Sequence, residues 1–403
     1  MRAHIPDDEF LARQKRTQKL VKEAGLDALI IHSNEADFAN VRYLSDYWPI
    51  FESAGVFVPA EGPLMLLIGP ESETFARSQT KIPDVRKLVA YREPAEPDYP
   101  GIPVATFRGL FDDTLGREPK RIGLAGWAIL PLPVYMGLKE SFPDAEFVKA
   151  DDIMFSQRAI KSENEIACLR ESVRLAEIAL EEIRQCARPG MTELQIAGIA
   201  QEVIYREGAE YEGLPQYVLA GTASSHAIGR PGYRVVREGD VIQVNTSSRV
   251  HGYSGSVGVP LCMGKRSEAI DRLLSFGLEA HTFSRSLALT GTPASEVAIN
   301  YENWVKDKGF SEYLLYGPFH GLGMIEVERP WIEQTSQYAL RPNMTFQMDT
   351  FFYAPEGSEL ARSNGSTFGC RWEQGCRIAE DGSQPELLGT DLRDWAERGV
   401  IPL

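Results

Sequence analysis

The sequence predicts a two-domain α/β protein: first a mixed sheet with helices on its faces, then a domain of two similar helix-plus-strand halves. Three observations carry this. The chain has 403 residues, more than one hydrophobic core ordinarily serves. Strand and helix signals alternate through its first part. Its second part repeats itself: Gly190–Gly208 reads GMTELQIAGIAQEVIYREG and Gly291–Gly309 reads GTPASEVAINYENWVKDKG. Each copy opens on a glycine with a threonine nearby, continues as a helix and stops at a glycine.

Asp7 to Lys22 places apolar residues at helical spacing, and Gly25 ends the run. Leu26–Ile31 reads as a short buried strand, and Gly55–Pro59 with Leu64–Ile68 as a hairpin around Glu61-Gly62. Pro70–Ser78 is expected as a helix, Val85–Tyr91 as a strand, Phe107–Leu115 as a helix, Arg121–Leu124 as a strand and Pro133–Glu140 as a helix. Ala150-Asp151-Asp152 marks the boundary, giving domains 1–155 and 156–403. Lys161 to about Ala187 is a long amphipathic helix, ended by Pro189-Gly190. Thr192 with Gln195 forms a capping box, and Thr292 caps a helix with Pro293 at its first position. Val241–Val244 and Tyr253–Leu261 are strands after the first repeat; Thr345–Phe352 and Cys370–Ile378 follow the second.

The charge balance is acidic, 42 Lys+Arg against 57 Asp+Glu, for a net charge of -15. This disfavours nucleic acid or an anionic membrane as partner. The five cysteines form no CxxC pair, which points to reduced thiols and a cytoplasmic location. The N-terminus, MRAHIPDDEF, lacks the apolar segment of a secretory signal, and no apolar run is long enough to span a membrane.

Five short segments then stand in order. Asn245 closes Gly239-Asp240-Val241-Ile242-Gln243-Val244-Asn245, and Ser256 lies in Gly252-Tyr253-Ser254-Gly255-Ser256. His320 opens His320-Gly321-Leu322-Gly323, Asp349 ends Thr345-Phe346-Gln347-Met348-Asp349, and Glu373 ends Arg371-Trp372-Glu373. The frames and separations resemble the family of creatinase, prolidase, aminopeptidase P and methionine aminopeptidase. The resemblance covers nearly the whole chain. It implies an α/β N-terminal domain and an α+β pita-bread C-terminal domain with pseudo-two-fold symmetry.

In the metallopeptidases of that family the five positions hold Asp, Asp, His, Glu and Glu, and bind two divalent metals. Here Asn245 and Ser256 are neutral, and Asp349 is one methylene short. Two metals about 3.5–4 Å apart need bridging carboxylates. Val327 stands where the peptidases place a further histidine, with Glu326 and Glu328 beside it. The expectation is a metal-ligand-depleted pocket without metal or cofactor, closest in type to the creatinase branch. A single metal on His320, Asp349 and Glu373 is the alternative.

Creatinase uses a histidine in a glycine-led loop as acid/base. The matching phrase is Ala220-Gly221-Thr222-Ala223-Ser224-Ser225-His226. Histidine, with an ordinary pKa of about 6.5, suits proton transfer at neutral pH. The expected catalytic residues are His226, His320, Asp349 and Glu373. Asn245, Ser256, Tyr253, Arg371, Trp48, Phe51 and Glu52 are expected to bind substrate. Creatine is not the expected substrate: Ser256-Val257-Gly258 lacks an acid, and Trp48–Ala54 lacks the arginine that would hold its carboxylate.

The leading expectation is metal-independent hydrolysis of a non-peptide C–N bond in a small polar metabolite. A single-metal Xaa-Pro-type peptidase and a non-catalytic ligand-binding protein are the alternatives. The resemblance also implies a homodimer in which the N-terminal domain reaches the partner's site.

Overall fold

The computed structural model describes residues 2–402. The chain divides into two compact units. One is Ile5–Arg158; the other begins at Ala159 and includes the residues before Ile5.

The N-terminal unit runs α1 (Asp7–Glu23), β1 (Ala28–Ser33), α2 (Ala39–Ser45), β2 (Ala54–Pro59), β3 (Met65–Ile68), α3 (Glu73–Gln79) and β4 (Asp84–Lys87). It continues through α4 (Phe107–Leu115), β5 (Arg121–Ala125), α5 (Leu132–Ser141), β6 (Glu146–Lys149) and α6 (Asp151–Arg158). Its sheet has the order β4-β3-β2-β1-β5-β6. β2 is antiparallel to both neighbours, and the other pairs are parallel. The strand expected to reach Tyr91 ends at Lys87; Val89–Tyr91 winds into a helical turn that buries Tyr91. α2 carried no sequence signal because all of its residues are buried, which erases the amphipathic period. β6 is a half-exposed four-residue strand at the sheet edge. The expected boundary falls inside α6, which belongs to the first unit.

The C-terminal unit begins with α7 (Glu163–Cys186), α8 (Glu193–Arg206), β7 (Tyr217–Ala220), β8 (Val241–Val250) and β9 (Tyr253–Met263). It goes on with α9 (Glu268–Leu287), α10 (Ala294–Asp307), β10 (Phe319–Gly321), β11 (Thr345–Ala354), α11 (Glu359–Asn364) and β12 (Phe368–Arg377). Short β13 (Glu386–Leu387), α12 (Trp395–Arg398) and β14 (Val400–Ile401) complete it. Ser162 and Glu165 cap α7 reciprocally, as Thr192 and Gln195 cap α8. α10 departs from expectation: Pro293, not Thr292, occupies the N-cap. α9 gave no clear stripe because Gly277, His281 and Ser284 lie on its buried face.

The sheet order β10-β11-β12-β9-β8-β7 reads as two copies of one motif meeting at β9 and β12. The repeat extends to individual hydrogen bonds. Gly190 N donates to Val236 O and Val236 N to Met191 O; Gly291 N donates to Leu340 O and Leu340 N to Thr292 O. This is the pseudo-two-fold pita-bread arrangement. All five cysteines are free thiols, and burial pushes that of Cys262 up to about 12. Among the described residues, no helix is long and apolar enough to cross a membrane.

Candidate active site

The strand registers align Tyr217, Asn245, Gly258, Glu373 and Asp349 in one row across β7, β8, β9, β12 and β11. Residues two apart on a strand share a face. The adjacent row on that face therefore holds Ser256, Gly375, Gln347 and His320. Apart from half-buried Tyr217, both rows are buried, so each polar group in them needs a partner.

Gly258 makes the centre of the first row possible. A Cβ there would lie 2.9 Å from Glu373 Cβ and 3.2 Å from Arg371 Cγ. With glycine in place, Asn245 Nδ2 donates to Glu373 Oε2 at 2.5 Å. Ser256 Oγ donates to Glu326 Oε1 at 2.8 Å and stands 3.4 Å from Glu373 Oε1. Gln347 Nε2 donates to Ser256 Oγ at 2.5 Å, which leaves the hydroxyl proton for Glu326. His320 Nδ1 lies 3.1 Å from Gly321 O, a bond that assigns its proton to Nδ1. The Nε2 lone pair is then exposed to the site, 3.9 Å from Glu373 Oε1.

Arg371 closes the row on the other side. Its Nε is 3.4 Å from Asp349 Oδ1 and its Nη1 3.4 Å from Glu373 Oε2. Its Nη2 donates to Ala227 O at 2.6 Å and to Tyr316 Oη at 3.0 Å. Tyr316 in turn donates to Asp349 Oδ2 at 2.6 Å. Burial, then the charges of Asp349 and Glu326, push the Glu373 carboxyl well above the usual carboxylate range. Burial raises Glu326 as well.

One nitrogen or oxygen from each of His320, Glu326 and Glu373 lies within 4.8 Å of the others. Asn245 Oδ1 is buried with no hydrogen-bond partner among the described residues, and Asp349 Oδ1 has only its ion pair with Arg371. An imidazole, two carboxylates and an unpartnered amide oxygen, with three buried acids against one guanidinium, fit one divalent cation in mixed N/O coordination. The group that could hold a metal contains Glu326 where the single-metal alternative from the sequence has Asp349. The only signal for Glu326 was its position beside Val327. Its neighbour Glu328 is spent on a buried ion pair with Lys161 at 3.2 Å. Tyr316 and Gln347 were also missed, since neither matches a family motif position.

Asn245, Ser256, His320, Asp349, Glu373 and Arg371 are therefore brought together. Ala227, next to His226, is tied to Arg371, while the His226 side chain is exposed. Tyr253 is not part of the site: it is buried and donates to Glu165 Oε1 at 2.6 Å. Five residues from Gly258 on an unbroken strand, it faces the other side of the sheet.

Trp48, Phe51 and Glu52 belong to the N-terminal unit. Glu52 is not free to meet a substrate. It accepts from Ser72 Oγ at 2.5 Å, Ser72 N at 3.0 Å and Glu71 N at 3.2 Å, ahead of α3. Trp48 Nε1 donates to Glu35 O at 2.9 Å. Phe51 is 76% exposed.

The sequence profile of metallopeptidase family M24 matches residues 167–380, and that of the creatinase/prolidase N-terminal domain matches 13–160. The chain belongs to metallopeptidase family M24. A similar M24 relative is the Xaa-Pro dipeptidase of Pyrococcus horikoshii, 24% identical over 366 residues, covering 87% of this chain and 95% of that protein. The X-Pro aminopeptidase structure from Thermotoga maritima superposes with a TM-score of 0.78 at 24% identity, covering 94% of this chain and 97% of that one. A prolidase structure from Thermococcus sibiricus gives 0.81 at 20% identity, covering 98% and 99%.

These findings overturn the metal-independent, non-peptide hydrolase expected from the sequence. The family is one of metallopeptidases, and the relatives named here act, by their names, on Xaa-Pro peptides. The expectation of a metal-depleted pocket is not borne out; it rested on Asn245 and Ser256 and gave Glu326, noted only as a neighbour of Val327, no ligand role.

Proposed function

We propose that this chain is a single-metal peptidase of the Xaa-Pro type. The observation that carries the reading is the convergence of His320, Glu326 and Glu373 within 4.8 Å. The names of the M24 relatives support the substrate class. A divalent cation held by His320 Nε2, Glu326 and Glu373 supplies Lewis acidity and a more acidic water.

The chain's own groups do the rest. Ser256 and Gln347 orient Glu326. Arg371, buried against Asp349 and Glu373, is a fixed positive charge that lowers the energy of negative charge developing nearby. Asp349, held by Tyr316, keeps the guanidinium in place. His226, exposed beside Ala227, contacts the substrate.

A homodimer belongs to the same reading. Ile228 and Tyr233, in the segment after His226, are 86% and 87% exposed, which supports apolar contact with a peptide or a second subunit there. Sedimentation velocity tests it, with a dimer expected. For the activity, hydrolysis of Ala-Pro and Gly-Pro is measured with manganese or cobalt before and after chelation. Turnover that needs the metal and disappears in Glu326→Gln is expected. Turnover that survives both rejects the proposal.

A further inference from the structure

The N-terminal unit contains a cavity of about 470 Å³ that the peptidase reading does not use. It lies where five of the six strands end. β1, β3, β4, β5 and β6 share one direction, and only β2 opposes them. The lining comes from the end of β1 (His32, Asn34), the approach to β2 (Phe51, Ser53) and the segments after β4 and β5 (Val89, Ile129). Open α/β sheets bind ligands at this carboxyl edge.

His32 is the polar group of this cavity that lacks a use. It is fully buried, and neither ring nitrogen has a hydrogen-bond partner among the described residues. Tyr91, whose own buried hydroxyl is likewise unpaired, stacks on its ring at 5.8 Å. Burial holds the imidazole neutral by pulling its pKa down to about 4. A neutral ring presents one N–H and one lone pair. The chemistry it lacks is a group that both accepts and donates.

The cavity's other charges argue against an anionic ligand. Arg92 is already paired with Glu96 at 3.3 Å, and Glu93 adds a negative charge to the lining. Most of the remaining wall is apolar. Phe51 lies in the lining with a left-handed φ of 59°, a conformation that costs a bulky residue energy and clusters at ligand sites.

We propose that this cavity is a second small-molecule site, built wholly from the N-terminal unit, for a neutral, largely apolar molecule carrying an amide or hydroxyl. The proposal does not depend on the peptidase reading.

The test uses the full-length, metal-loaded protein labelled with ¹⁵N-histidine. The ring nitrogens are followed while benzamide is added, with benzoate as the anionic counterpart. Saturable shifts of His32 with benzamide, at least tenfold weaker with benzoate, are expected. Val89→Trp, which fills the cavity from a partly exposed wall, is expected to abolish the shifts and leave the His320 signals unchanged. His32→Leu is expected to weaken benzamide binding at least tenfold. No His32 shift at the solubility limit overturns the proposal. So do a shift that survives Val89→Trp and a shift confined to His226 or His320. Xaa-Pro turnover is read separately and bears on neither result.

Discussion

Asn245 donates to Glu373 at 2.5 Å across a gap that exists because residue 258 has no side chain. The contact joins the two halves of the C-terminal sheet at the centre of the site. Gly258→Ala would push Glu373 or the Arg371 stem aside. We expect a stability loss of about 1–3 kcal/mol and reduced metal retention. Denaturant titration and elemental analysis on the same preparation check both. Full metal retention would show that the row tolerates displacement.

Metal content separates the ligand set seen here from the one expected by family position. One manganese, cobalt or zinc per chain is predicted. Glu326→Gln should bind it at least about tenfold more weakly, since even outer partners of a metal site have effects of this size. Asp349→Asn should keep it, because Asp349 is engaged by Tyr316 and Arg371. The reverse order of effects would restore Asp349 as a ligand.

Arg371 is a buried cation among buried acids. Arg371→Met leaves Asp349 and Glu373 without it, at a cost of about 3–5 kcal/mol in the metal-free protein. Turnover should fall by about 10²–10³ through lost charge stabilisation. Arg371→Lys should not restore it, because a single ammonium cannot reach Asp349, Glu373, Tyr316 and Ala227 together. Melting temperature with and without metal, beside steady-state rates, distinguishes the structural loss from the catalytic one.

His281 gives the molecule an acid limit. Burial pulls its pKa down to about 4. Between that value and about 6.5 the unfolded chain binds a proton that the folded one does not. Stability is thus fully present above about 6.5 and falls as pH drops towards 4, by up to about 3 kcal/mol for this group. His281→Leu should flatten that limb. Denaturation midpoints from pH 7 down to 4 provide the measurement, and an unchanged slope would assign the acid sensitivity elsewhere, His32 included.

The sequence made the domain plan legible because hydrophobic period and helix caps act locally. Ser162, Thr192 and the glycines at 190 and 291 announce their elements. It also named most of the residues that the strands bring together in the candidate site, because motif frames fix where strands begin. What it missed depends on three dimensions. Glu326 lies on a loop, and only folding shows its carboxylate turned towards Ser256 while that of Glu328 meets Lys161. Glu52 was itself expected to meet substrate, yet its carboxylate is taken up by Ser72 and the backbone ahead of α3. Tyr253 was misplaced by proximity along the chain, although counting residues to Gly258 puts it on the opposite face.

A site carried mostly by two rows on rigid strands has an evolutionary consequence. Each position can be rewritten one residue at a time while its neighbours keep their geometry. Divergence can then alter charge, ligand number and substrate preference without moving the backbone.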